Sequence, residues 1–113
     1  MEDDMKLNDF VEKYIMHDSL FTSITQDKNT VKMVIDFAYW MQPGFSEGSP
    51  ETGPLKVEFS NVTRFVCPEN IPLDQVSILK TSCKENTIQF SILNDITNEY
   101  FEIVIEAESV SVQ

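Results

Sequence analysis

The chain has few of the residues that build catalytic and metal centres. Its 113 residues include one histidine, two cysteines and three glycines. Zinc sites need clustered cysteine and histidine side chains, and phosphate-binding loops need closely spaced glycines. Neither pattern is present. We therefore predict that the protein is not an enzyme and that it has no metal site and no cofactor.

Basic residues are also scarce. Eight lysines and arginines stand against nineteen aspartates and glutamates, which gives a formal net charge of −11 and a pI near 4.2. Binding to nucleic acid is disfavoured, because phosphate contacts need basic patches. Such a charge instead favours solubility and the electrostatic steering of a basic partner.

Long hydrophobic runs are absent, since no stretch approaches the roughly 20 apolar residues of a membrane-spanning helix. Three of the first four residues are acidic, whereas an export signal would be basic and then apolar. We expect a cytoplasmic protein with no membrane contact, in which Cys67 and Cys83 are reduced rather than joined. Hydrophobic residues make up 42% of the chain, enough for one globular domain over 6–113 behind a flexible acidic leader, 1–5.

Hydrophobic periodicity predicts an amphipathic helix followed by strands. The apolar positions of 6–15 recur at intervals of three and four, which indicates a helix with one apolar face. From 20–25 the period becomes two, with Leu20, Thr22 and Ile24 on one face, and after a turn it continues through 31–39. These two segments are typical of a hairpin whose second strand is half buried.

The remaining segments extend the same sheet. Residues 41–54 hold all three glycines and three of the five prolines, so we expect a long loop there. Further strands are expected over the ranges 55–59, 62–66, 76–82, 87–93 and 100–110. Their connections are too short for parallel crossovers. The predicted fold is α+β, mainly β: an N-terminal amphipathic helix packed on a twisted antiparallel sheet of about six strands, rolled toward a half-barrel.

The segment His17-Asp18-Ser19 joins the predicted helix to the first strand. Adjacent residues cannot readily align as nucleophile, base and orienting acid, so a structural role at this junction is favoured. An acid–base site that also recruits Asp36 is the weaker alternative. A His-Asp-Ser segment between a short helix and an alternating hairpin resembles small bacterial proteins of unknown function, some of them regarded as toxin-immunity proteins. The resemblance covers residues 7–39 and implies a non-enzymatic bacterial protein that binds another protein.

Two features suggest where such a partner binds. The predicted last strand alternates buried positions with outward ones, and its outward positions include Glu102, Glu106 and Glu108, preceded by Glu99. This row is either a solvated edge that prevents aggregation or a docking surface for a basic protein. Trp40 lies beside the long loop, where a tryptophan can anchor an interface, although filling the end of the core is the favoured role.

The sequence thus predicts an acidic protein-binding module, an immunity-like inhibitor or adaptor that docks on a basic protein such as a toxin. The alternative is a β domain that binds a small molecule, with the 41–54 loop as a lid and with Tyr39, Trp40 and Phe45 lining a pocket.

Overall fold

The computed structural model describes residues 4–42, 46–48, 51–68 and 76–112. These residues form one short helix, a 3-10 turn and eight strands, so the fold is mainly β as predicted. The elements are α1 (Leu7–Lys13), β1 (Leu20–Asp27), β2 (Thr30–Ala38), the 3-10 turn (Tyr39–Met41), β3 (Thr52–Ser60), β4 (Arg64–Val66), β5 (Val76–Lys84), β6 (Thr87–Asn94), β7 (Tyr100–Glu106) and β8 (Ser109–Val112).

All strand pairs are antiparallel, and the strand order is β4-β7-β6-β5-β1-β2-β3-β8. The sheet therefore has eight strands rather than about six, and it is not closed. One cause is that the predicted last strand, 100–110, is two strands in the structure. It stops at Glu106 and resumes at Ser109 after a bend.

The chain bends at two neighbouring points, between β3 and β4 and between β7 and β8, and the strands on either side of each bend have different partners. Before its bend β3 pairs with β8, and after it β4 pairs with β7. Asn61 takes a left-handed conformation, φ +54°, at the first bend, and Glu108 donates its backbone N–H to Ser60 O at 3.1 Å at the second. The first half-sheet (β1, β2, β3 and β8) and the second half-sheet (β4, β5, β6 and β7) are therefore joined through both bends. Between β1 and β5 they pair in register at one position, Leu20 with Ser77.

The core lies between the half-sheets and is covered by α1. Phe10 of α1 packs against Phe59 of β3, with ring centroids 6.2 Å apart, and Phe59 packs against Phe90 of β6 at 6.3 Å. All three side chains are fully buried. The predicted packing of an N-terminal helix on the sheet is thus confirmed. The helix has seven residues, and no helix within the described ranges is long and apolar enough to cross a membrane.

Two bulges change which side chains face the core. The register of β1 shifts between Phe21 and Ser23, and that of β5 shifts between Ile78 and Lys80. An extra residue in one strand reverses the alternation beyond it. Phe21 and Ile24 therefore both pack on the core, whereas the sequence placed Ile24 on the face of Leu20, opposite Phe21.

The sheet extends into the predicted flexible leader. Met5 donates its N–H to Val110 O at 2.8 Å and accepts the Val110 N–H at 2.9 Å. Its side chain packs against the core. Met5 therefore belongs to the folded domain rather than to a leader, and residues 1–3 lie outside the described residues.

Candidate functional site

The predicted acidic row follows β7 and the bend after it. Ile103, Ile105 and Ala107 are buried, so Glu102 and Glu106 project from the opposite, outer face of β7. Glu99 precedes β7 and is exposed, and Glu108 is exposed in the bend after Ala107. The alternation therefore continues to Glu108, although the strand itself ends at Glu106.

The carboxylates are positioned by neutral donors. Three of these four glutamates accept hydrogen bonds from uncharged side chains. Glu102 accepts from Tyr100 Oη at 3.1 Å and from Gln89 Nε2. Glu106 accepts from Thr63 Oγ1 at 2.6 Å, and Glu108 accepts from Asn61 Nδ2 at 3.1 Å. These contacts fix the side chains without cancelling their charge.

Basic residues share the outer face of the second half-sheet. Arg64 of β4 lies opposite Glu106 in register. On the other side, Thr87 is paired with both Glu106 and Lys84, so Lys84 occupies the same cross-strand row. The outer face of β7 is therefore mixed in charge rather than uniformly acidic.

A polar groove of about 410 Å³ lies where the two bends meet, lined by Asn61, Thr63, Asn86, Glu106, Ala107 and Glu108. Its carboxylate, amide and hydroxyl oxygens can accept hydrogen bonds from an ammonium or guanidinium group. Within the described ranges, no group of three or more histidine, cysteine, aspartate or glutamate side chains is placed to hold a metal ion.

The His17-Asp18-Ser19 segment connects α1 to both half-sheets. Ser19 is fully buried, and its Oγ accepts the Ala38 N–H of β2 at 2.9 Å. His17 is exposed, and its Nδ1 donates to Leu79 O at the β5 bulge, also at 2.9 Å. Its Nε2 lies 3.5 Å from Asp18 Oδ1. The hydroxyl thus points into the core while the imidazole lies at the surface, which is not an arrangement of nucleophile and base.

Tyr39 and Trp40 have different surroundings. The Tyr39 ring packs edge-on against Phe37, with centroids 5.2 Å apart, and it covers Gly53 so closely that a Cβ there would lie 2.9 Å from the ring. Trp40 donates its backbone N–H to Glu51 O at 3.1 Å, and its side chain is 45% exposed. Tyr39 therefore closes the end of the core, whereas Trp40 faces solvent.

Trp40 and the acidic row do not form one site. Trp40 follows β2, which is four strands from β7 in the sheet order. At about 4.8 Å per strand, this separation is roughly 19 Å along the sheet. Glu102 and Glu106 share the outer face of β7, about 13 Å apart because four residues of a strand separate them, and Trp40 lies outside that face.

Two further exposed apolar side chains, which the sequence did not single out, come from chain segments that are hydrogen-bonded to the end of β2 just before Trp40 or to Gln42 just after it. Ile15 is 36% exposed and Leu20 39%. The Gln42 amide holds this region together, because it accepts the Ile15 N–H at 3.0 Å and donates to Ile15 O at 2.7 Å and to Ala38 O at 3.0 Å. We call Ile15, Leu20 and Trp40 the junction patch. Ile15 was predicted on the buried helix face; the helix ends at Lys13, so Ile15 leaves that face.

The two cysteines are free thiols. Cys67 directly follows β4 and Cys83 lies on β5, three strands away in the sheet order. That separation, about 14 Å, is far beyond the reach of a disulfide. Burial raises the pKa of both thiols, so neither is activated as a nucleophile.

The predicted lid falls partly outside the described residues. These omit 43–45, which include Phe45, and 49–50. The predicted loop is shorter than expected at its far end, because β3 begins at Thr52.

Similarity to known proteins does not assign the chain to a family. Comparison with protein-family models, with curated proteins and with solved structures gives no significant match. The resemblance of residues 7–39 to immunity-like proteins therefore stays a prediction. The function has to be inferred from the geometry of the molecule.

Proposed function

We propose that this chain is a non-enzymatic, cytoplasmic protein-binding module, an immunity-like inhibitor or adaptor that docks on a basic protein. The observation that carries the proposal is the state of the outward carboxylates. Glu102 and Glu106 are held by neutral donors, and they contribute to a net charge of −11. Fixed, ionised carboxylates produce a field that extends beyond the surface.

The field would act first on the rate of encounter. Electrostatic complementarity raises association rates by about an order of magnitude or more at low salt and favours partners of opposite charge. At contact, carboxylates would engage the lysine and arginine side chains with which a basic protein grips its own substrate. Occlusion of those side chains is the proposed mechanism of inhibition.

Two observations favour this proposal over the alternatives. Ser19 Oγ is bonded to the Ala38 N–H inside the core, so the most tempting nucleophile is already engaged and away from solvent. The Tyr39 ring covers Gly53 and packs on Phe37, so the aromatic residue expected to line a lidded pocket serves the core instead.

The test is capture of partners from the native host with the immobilised chain, at low and at high salt. We expect a protein of basic isoelectric point that is released as salt rises, because screening weakens exposed charge interactions. The variant Glu102→Gln/Glu106→Gln should capture the same protein with a slower association rate. A matched control, Glu12→Gln/Glu85→Gln, removes the same charge from exposed positions on α1 and in the β5–β6 turn. Retention of neutral or acidic proteins alone, or retention that does not change with salt concentration, would contradict the proposal.

A further inference from the structure

The junction patch combines exposed apolar area with a rigid backbone. Each of its three side chains comes from a segment tied to its neighbour. Gln42 bonds both backbone groups of Ile15, the Ser19 hydroxyl next to Leu20 accepts from Ala38, and Trp40 donates to Glu51. Because these segments are already held in place, binding would cost the protein little conformational entropy.

Acidic groups lie on the Leu20 and Trp40 side of the patch. Asp36 lies opposite Leu20 in register on the outer face of β2, Asp18 is exposed two positions before Leu20, and Glu51 is exposed beside Trp40. Basic groups are close on one side, where Lys80 and His17 line a groove of about 360 Å³ together with Ile15. The Lys13 ammonium lies over the Tyr14 ring, 5.6 Å from the ring centroid. On the Leu20 and Trp40 side, three carboxylates stand against one exposed lysine, Lys56, which is diagonal to Asp36 across β2 and β3. Asp18 also contacts His17, at 3.5 Å. This side of the patch is therefore net acidic.

The outer face of β7 is less suited to direct contact with a basic protein. Arg64 lies opposite Glu106, and Lys84 occupies the same cross-strand row. A lysine or arginine of the partner would meet these cations at short range. Like charges in contact oppose binding, whereas a net negative field acts at a distance.

We infer that the junction patch is the surface on which the basic partner is anchored, and that its occupant is an extended segment with an apolar side chain next to a lysine or arginine. The apolar side chain packs on Trp40, Leu20 and Ile15, and the cation is received by Asp18, Asp36 and Glu51. Glu102 and Glu106 steer the partner, and the patch holds it. The inference rests on the proposed function.

The test uses two synthetic peptides of equal length and equal positive charge, one alternating lysine with leucine and the other lysine with glycine. Their association and dissociation rates are measured on the immobilised full chain by surface plasmon resonance. We expect the lysine–leucine peptide to dissociate about tenfold more slowly, as loss of a buried aromatic anchor typically costs this much or more. Because Trp40 is the sole tryptophan of the chain, its fluorescence emission should shift to shorter wavelength with that peptide only.

Variants separate the patch from the rest of the surface. Trp40→Ala should abolish the difference between the two peptides and leave the lysine–glycine peptide unaffected. Leu20→Ala, at a side chain that is 39% exposed, is the second variant and should reduce the difference even if Trp40→Ala folds poorly. Ile96→Ala is the matched control, because Ile96 is 60% exposed in the turn between β6 and β7, away from the patch.

The outcomes distinguish this inference from the proposed function. If neither peptide binds the wild-type chain at low salt, both are wrong. If both peptides bind but Trp40→Ala and Leu20→Ala leave their difference unchanged, or Ile96→Ala removes it, the anchoring surface is elsewhere and the proposed function stands. An emission shift that occurs equally with both peptides would also overturn the role of the apolar contact.

Discussion

Replacement of Ser19 by alanine should lower the free energy of unfolding by about 1–3 kcal/mol. The Ser19 hydroxyl accepts the Ala38 N–H at 2.9 Å, and both residues are buried, with exposures of 0% and 1%. Alanine removes the acceptor and adds no space for a water molecule. The Ala38 N–H then stays buried without that partner, and the desolvation cost of such a group sets the magnitude.

The assay is urea denaturation followed by far-UV circular dichroism. The denaturation midpoints of the variant and the wild type are compared, provided that their m-values are equal. The matched control is Ser82→Ala, since Ser82 is exposed on β5 and its replacement should change stability by less than about 0.5 kcal/mol. Equal effects at the two positions would refute the reasoning, because they would show that the buried hydroxyl of Ser19 satisfies no backbone donor. For a domain of this size, about 1 kcal/mol corresponds to a thermal midpoint shift of about 4 °C, which gives an independent check.

Other predictions follow from the sheet and its thiols. Ile35→Ala on the buried face of β2 should cost about 2–5 kcal/mol in urea denaturation, and Lys32→Ala on its exposed face far less; similar losses would contradict the facing of β2. Cys67 and Cys83 should react slowly with thiol reagents at neutral pH, because burial raises the pKa of both; rapid labelling of the folded chain would oppose this. Since the folded chain keeps these protons to higher pH than the unfolded chain, stability should be complete at neutral pH and fall as pH rises through the thiol range in a pH series.

The sequence predicted the facing of strands wherever the alternation is uninterrupted. In β2, positions 31, 33, 35 and 37 are buried and position 32 is exposed, as a period of two requires. The class, the antiparallel pairing and the covering helix also followed from hydrophobic spacing and from short connections. These features depend on local patterns, which is why they could be read from one chain.

Features that depend on one extra residue could not be predicted. The bulges in β1 and β5 reverse the alternation, and neither Thr22 nor Leu79 carries a composition that marks a bulge. The bend after Glu106 contains neither glycine nor proline, so nothing in the sequence marked the end of β7 there. Pro54 was expected in a loop, yet it lies in β3. This is tolerated because β8 reaches only as far as Val57, which leaves an edge on that side of Pro54.

The candidate surfaces were predicted in pieces. Glu102 and Glu106 were identified because strand spacing placed them outward. Ile15 was assigned to the wrong environment because hydrophobic spacing does not show where a helix stops. The grouping of Ile15 with Trp40 depends on Gln42, whose side chain bridges residues far apart in sequence. A single sequence contains no signal for such a contact.

The paired bends also determine how the molecule can come apart. Because β3 continues into β4 and β7 continues into β8, the second half-sheet is one continuous stretch of sequence, β4 to β7, inserted into the first half-sheet, whose strands come from both ends of the described chain. Opening one half-sheet must pull on the other through both bends. Slow amide protons of β2 and of β6 should therefore exchange with the same opening free energy, as one cooperative unit rather than as two.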